Sequence, residues 1–176
     1  MKKISENIWE FDPQVYPQLL WVAVNPTEEE QKAFNTTYEK PEKDLNLDLT
    51  DCNAQVDNVR LKENRRTGSL ITFKSIEQIN CSNIAHEASH VVFDLCSVCG
   101  IKTHYDNQEP ISYLIGWVAD CCEKVKKEIE IKKSLNLFSY VFKSSTDLCH
   151  NLIGFEVLLI HCTRWTCTYT GTTSFT

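Results

Sequence analysis

Residues 84–92 read Ile-Ala-His-Glu-Ala-Ser-His-Val-Val, an HExxH pentapeptide inside an apolar, helix-forming run. Histidines four residues apart lie on one face of an α-helix about one turn from each other, so the imidazoles of His86 and His90 can reach a single ion, as a zinc site requires. Glu87 projects roughly 100° from His86 and can handle a proton of an attacking water without being a ligand, which makes it the candidate general base. Ile84, Ala88, Val91, Val92, Leu95 and Val98 keep helical spacing as an apolar stripe beside the histidine face, and Gly100 supplies a stop signal. The alternative is a pair of surface histidines on an ordinary helix.

Upstream, Ile4–Phe11 and Leu19–Val24 read as short strands, the second an unbroken apolar run that suits burial on both faces. Thr27 is a predicted N-cap and Glu30 completes a capping box, opening a helix that fades near Asn35. Polar and acidic residues from Asn35 to Asp51 predict a surface loop, with Leu45, Leu47 and Leu49 as anchors. Gln55–Lys62 and Ser69–Lys74 predict a hairpin in which Gly68 takes the positive φ of the turn. If Leu70–Phe73 is an exposed edge beside the HExxH helix, it can pair with an extended peptide and lay it over the metal.

Downstream, Asp106 or Asn107 caps a second helix in which Pro110 is tolerated in the first turn, and Ile111, Leu114, Ile115, Val118, Cys122, Val125 and Ile129 keep helical spacing to about Lys133. Glu109 lies 19 residues after His90, enough for the first helix to end at Gly100 and a second to return beside it. It is the expected third ligand, since a catalytic zinc typically takes three protein ligands and leaves one position open. Tyr113, one turn beyond Glu109, is either an oxyanion stabiliser or a core tyrosine, and His104 and Tyr105 are further candidates for the same role. Cys96, Cys99, Cys121 and Cys122 invite a four-thiolate reading, but adjacent helical residues point about 100° apart, so these cysteines are expected in the core.

With 176 residues, 42% of them hydrophobic, the chain is long enough for one sizeable core and short for two. A net charge of −6 argues against nucleic acid as a partner, and Lys124 to Lys133 alternates with Glu123, Glu128 and Glu130 as a solvated helix face would. Met1–Glu10 carries no apolar run of a signal peptide or anchor, and nine cysteines is an odd count. A cytoplasmic protein with mostly reduced thiols and no membrane partner is expected.

The segments IAHEASHVV and NQEPISYLIGWVAD together resemble minimal zincins of the gluzincin type, in particular short metallopeptidase-like proteins of phages and mobile elements. They are also similar to the peptidases that cut mobile-element repressors. The resemblance covers Leu19 to Lys133 and is specific at those two segments. It implies zinc on His86, His90 and Glu109, with Glu87 as catalytic acid and base. Larger gluzincins often place an aspartate one turn after the glutamate ligand to orient a histidine, and here Tyr113 occupies that offset.

From Ser134 onward the composition changes, with Lys143, Asp147, Glu156 and Arg164 as the charges in the rest of the chain. Thr163–Thr170 alternates as an amphipathic strand would, and Leu135–Ile160 is too interrupted by charge to span a bilayer. The expected organisation is a zincin-like domain over 1–133 and a dispensable extension over 134–176, with His150 and His161 outside the ligand set. The expected fold is α+β, a small antiparallel or mixed sheet packed on the HExxH helix and a second helix carrying Glu109. The expected function is zinc-dependent hydrolysis of a peptide or protein substrate. The alternative is a non-catalytic binding or regulatory protein of a phage or mobile element that keeps the fold.

Overall fold

A computed structural model of the chain describes residues 1–40, 49, 51–104, 106 and 108–151, with side chains described up to residue 140. Of the first strand expected from the sequence, Ile4–Phe11, only Ile8–Phe11 (β2) is a strand, and a two-residue strand, Lys2–Lys3 (β1), precedes it. The Ile4 and Ser5 amides both donate to the Ile8 carbonyl and fold the chain into a tight hairpin. Leu19–Val24 forms β3, buried along its whole length as the apolar run requires. Glu28–Thr37 (α1) follows, with Thr27 and Glu30 making the expected capping box. Tyr38–Glu39 (β4) is a strand where the sequence suggested loop, and of the three leucine anchors only the buried Leu49 lies within the described residues.

Ala54–Leu61 (β5) and Thr67–Phe73 (β6) form the expected hairpin, and then a 3-10 turn at Ile76–Gln78 leads into Cys81–Cys99 (α2). Glu109–Asn151 (α3) is the last element among the described residues. Asn80 caps α2 by accepting from the Asn83 amide, and Gly100 ends it in the left-handed region at φ 66, as its stop signal suggested. Helix α3 starts at Glu109 with Pro110 in its first turn, but it does not stop at Lys133. No proline or glycine interrupts residues 117–151, so the helix runs on while Ile131, Leu135, Leu137, Phe138 and Tyr140 stand exposed.

The six strands form one mixed sheet in the order β1-β2-β3-β6-β5-β4, every neighbouring pair antiparallel except β3 with β6. Because successive strand residues face opposite ways, β3 feeds two buried clusters. Leu20, Val22 and Val24 join Ile71 and Phe73 against α2 and against Leu114, Val118, Cys121, Cys122 and Val125 of α3. Leu19, Trp21 and Ala23 join Leu70 and Val59 on the opposite face against Phe34 and Tyr38, at the α1–β4 junction. The sheet is therefore packed by helices on both faces. The sequence placed only the two later ones.

Two expectations about β6 are overturned. Gly68 is not a positive-φ turn residue: Arg65 takes that conformation at φ 59, and Gly68 sits inside β6 opposite Leu19. A Cβ there would lie 2.1 Å from the Leu19 carbonyl oxygen and 2.6 Å from Trp21 Cζ3, so what Gly68 provides is room for its neighbour strand. Nor is Leu70–Phe73 an edge. With β3 on one side and β5 on the other, its backbone groups are already paired, and peptide addition at β6 is excluded.

The chain divides into two compact units, Met1–Ile129 and Glu130–Thr176. Thr163–Thr170 and His161 lie outside the described residues, as does the side chain of His150. No helix among the described residues is long and apolar enough to cross a membrane.

Candidate functional site

Helix α2 owes its orientation to Ile84, Ala88, Val91, Val92, Leu95 and Cys96, which are buried against the sheet and α3. At about 100° per residue, His86, His90, Phe93 and Ser97 fall within a wedge of roughly 60° on the opposite, outward side. All four are exposed. The expected member of the apolar stripe that departs is Val98, 59% exposed near the helix end.

On that outward face the two imidazoles converge. Their Nε2 atoms are 3.2 Å apart, with ring centroids at 4.8 Å and planes at 77°. Nitrogens at this separation, each 2.0–2.1 Å from a shared zinc, would subtend about 103°, near the tetrahedral angle, so the pair fits two corners of a zinc site. The same separation also suits a hydrogen bond between neutral imidazoles, one donating and one accepting according to tautomer.

Glu87 is on the inner flank of the helix, three residues from Ile84, and is only 6% exposed. Among the described residues no hydrogen-bond donor meets its carboxylate. Burial raises its pKa above the ordinary carboxylate value, and the nearby histidines His86 and His90 pull the other way without cancelling the effect. The HExxH segment thus combines two solvent-facing imidazoles with a desolvated carboxyl group between them in sequence.

The remaining candidates are placed apart from this pair. Helix α3 buries Leu114, Val118 and Cys122, and helical geometry turns Glu109 and Tyr113 about 140° and 100° away from Leu114. Both are exposed, Tyr113 at 75%, so it is not a core tyrosine. His104 is exposed and its Nδ1 lies 3.2 Å from an Asp106 carboxylate oxygen, while Tyr105 lies outside the described residues. Among the described residues, no three His, Cys, Asp or Glu side chains come together in a group that could hold a metal. Cys96, Cys121 and Cys122 are buried and Cys99 half-buried, as core cysteines, all with free thiols. Burial pushes the Cys121 thiol up to about 12 and that of Cys122 higher still, which keeps both neutral.

The sequence reading missed two features of the site. Glu87 belongs to the buried side of α2, and its spacing from Ile84 already carried that signal. Phe93 stands 53% exposed on the histidine face, three residues past His90, where helical phase alone places it. In comparisons with family models, with curated proteins and with solved structures, the chain matches none.

Proposed function

We propose that the chain is a metal-dependent hydrolase of the peptidase class, with His86 and His90 as metal ligands, Glu109 as the third ligand, Glu87 as general base and Zn2+ as the cofactor. The observation that carries this reading is the pairing of two convergent Nε2 atoms 3.2 Å apart with an adjacent carboxyl group whose pKa burial raises. A carboxyl group with a pKa shifted by burial beside two histidines is the kind of group that functional sites use.

When bound, zinc supplies a Lewis acid and lowers the pKa of its water toward ~7. His86 and His90 would hold the ion from the solvent face of α2. Glu87 takes one proton from the attacking water as its oxygen bonds to the scissile carbonyl carbon, then returns that proton to the amine as the C–N bond breaks. Tyr113, one turn beyond Glu109 on α3, is the proposed oxyanion donor.

A second reading, a non-catalytic binding or regulatory protein of a phage or mobile element, is favoured by the absence of a third ligand beside the histidines among the described residues. Zinc stoichiometry and hydrolysis separate the two. His86→Ala and His90→Ala are expected to lose zinc. Glu87→Gln is expected to keep zinc and to lose hydrolysis of a peptide library by about 10²- to 10⁴-fold. Stoichiometric zinc in Glu109→Ala removes Glu109 from the ligand set, and equal activity in Glu87→Gln and wild type defeats the mechanism.

A further inference from the structure

Helix α2 exposes two large apolar side chains, Phe93 at 53% and Val98 at 59%, and they differ in direction. Phe93 lies within about 60° of both histidines around the helix axis, while Val98 lies about 80–120° from them. Measured along the axis at 1.5 Å per residue, Phe93 is about 7.5 Å from the midpoint of the histidine pair. That is the length of about two residues of an extended peptide, at 3.3–3.6 Å each. A peptide whose carbonyl sits between the two imidazoles and which runs toward the α2 C-terminus therefore brings a neighbouring side chain over the Phe93 ring.

We propose that Phe93 is a specificity-determining residue of this site, selecting extended peptides that carry an aliphatic or aromatic side chain about two residues from the carbonyl held at the histidines. The inference rests on the metallopeptidase reading above. The ring offers apolar surface but no hydrogen-bonding group, so a polar side chain at that point loses water without compensation, whereas an apolar one leaves water favourably. Ser97, the remaining exposed residue of the histidine face, is small and uncharged, and the half-buried Asp94 lies about 40° beyond His90, about 100° from Phe93.

The test uses the full chain loaded with zinc and two peptide hydroxamates, identical except for leucine or serine two residues from the metal-chelating end, with affinities read by calorimetry. Wild type is expected to prefer the leucine probe about tenfold. Phe93→Ser is expected to reduce that preference to within about threefold while still binding both probes, and Val98→Ser, equally exposed on another face, is expected to leave it at about tenfold. Equal affinity for both probes in wild type, or an unchanged preference in Phe93→Ser, overturns the assignment of Phe93 while leaving the metal site standing. Failure of zinc-loaded protein to bind either probe overturns both.

Discussion

Glu30 is the carboxylate whose loss should be felt most clearly, and its effect has a distinctive dependence on pH. It accepts from Ser5 Oγ at 2.7 Å, the Asn7 amide at 2.9 Å, Asn7 Nδ2 at 2.8 Å and the Thr27 amide at 2.9 Å, tying the β1–β2 hairpin to the start of α1. Burial alone would raise its pKa and is the largest single influence, but the hydrogen bonds from Ser5, Thr27 and Asn7 together outweigh it and bring the group from 4.5 to about 2. Counted in full, a depression of this size is worth about 3 kcal/mol. Solvent screening at a partly exposed carboxylate reduces that to about 1–2 kcal/mol. Glu30→Gln keeps the shape but turns an amide NH2 toward groups that are themselves donors. At pH 7 it should lower Tm by about 2–8 °C, given a shift of about 2–4 °C per kcal/mol for a chain of this size. Because the folded-state pKa is depressed, the stabilisation is fully present above pH 4.5 and disappears as pH falls toward 2. Urea midpoints of wild type and variant, measured from pH 7 down, should therefore converge between pH 4.5 and 2. A gap that stays constant over that range, or no gap at pH 7, would refute the assignment of the stabilisation to this carboxylate.

Gly68→Ala should destabilise by about 1–3 kcal/mol or abolish folding, since the new Cβ would meet the Leu19 carbonyl at 2.1 Å; a thermal melt within about 2 °C of wild type would contradict this. Glu87→Met should raise the urea midpoint of the metal-free protein at pH 7, because it removes a carboxyl group whose charged form burial disfavours. Its gain should shrink toward acid, where the raised carboxyl is protonated in both folded and unfolded chains, so a gain that grows on acidification would count against it. Among the described residues, truncation after Lys133 removes none from either buried cluster, so a single cooperative melt should persist, and a broad, non-cooperative transition would show that the tail supplies core.

The features legible in the sequence were those whose causes are local. The Thr27–Glu30 capping box, the Gly100 stop, the β5–β6 hairpin and the double-sided burial of β3 each follow from a few adjacent residues, and each is present. What escaped depended on partners far along the chain. Nothing near Leu70 reveals that β3, about fifty residues earlier, lies beside it, so β6 read as an edge when it is central. Ser5 and Asn7 give no sign that Glu30 will bind them. At the site, the convergence of His86 and His90 followed from their spacing, but the direction of Glu109 and Tyr113 is set by which side of α3 the core claims. Leu114, Val118 and Cys122 claim the side away from them.

The parallel pairing of β3 with β6 also sets the order of events during synthesis. Leu19 pairs opposite Gly68, and at about 5–20 residues per second the ribosome takes about 3–10 s to deliver the second strand after the first. For that interval the nascent chain holds six consecutive apolar residues of β3 with one edge unpaired, the kind of segment that recruits other chains or chaperones. Once β6 arrives the hazard is buried and leaves no trace in a melting curve. Substitutions that delay this pairing, Gly68 foremost, should therefore reduce the yield of soluble protein by more than their effect on equilibrium stability alone would suggest.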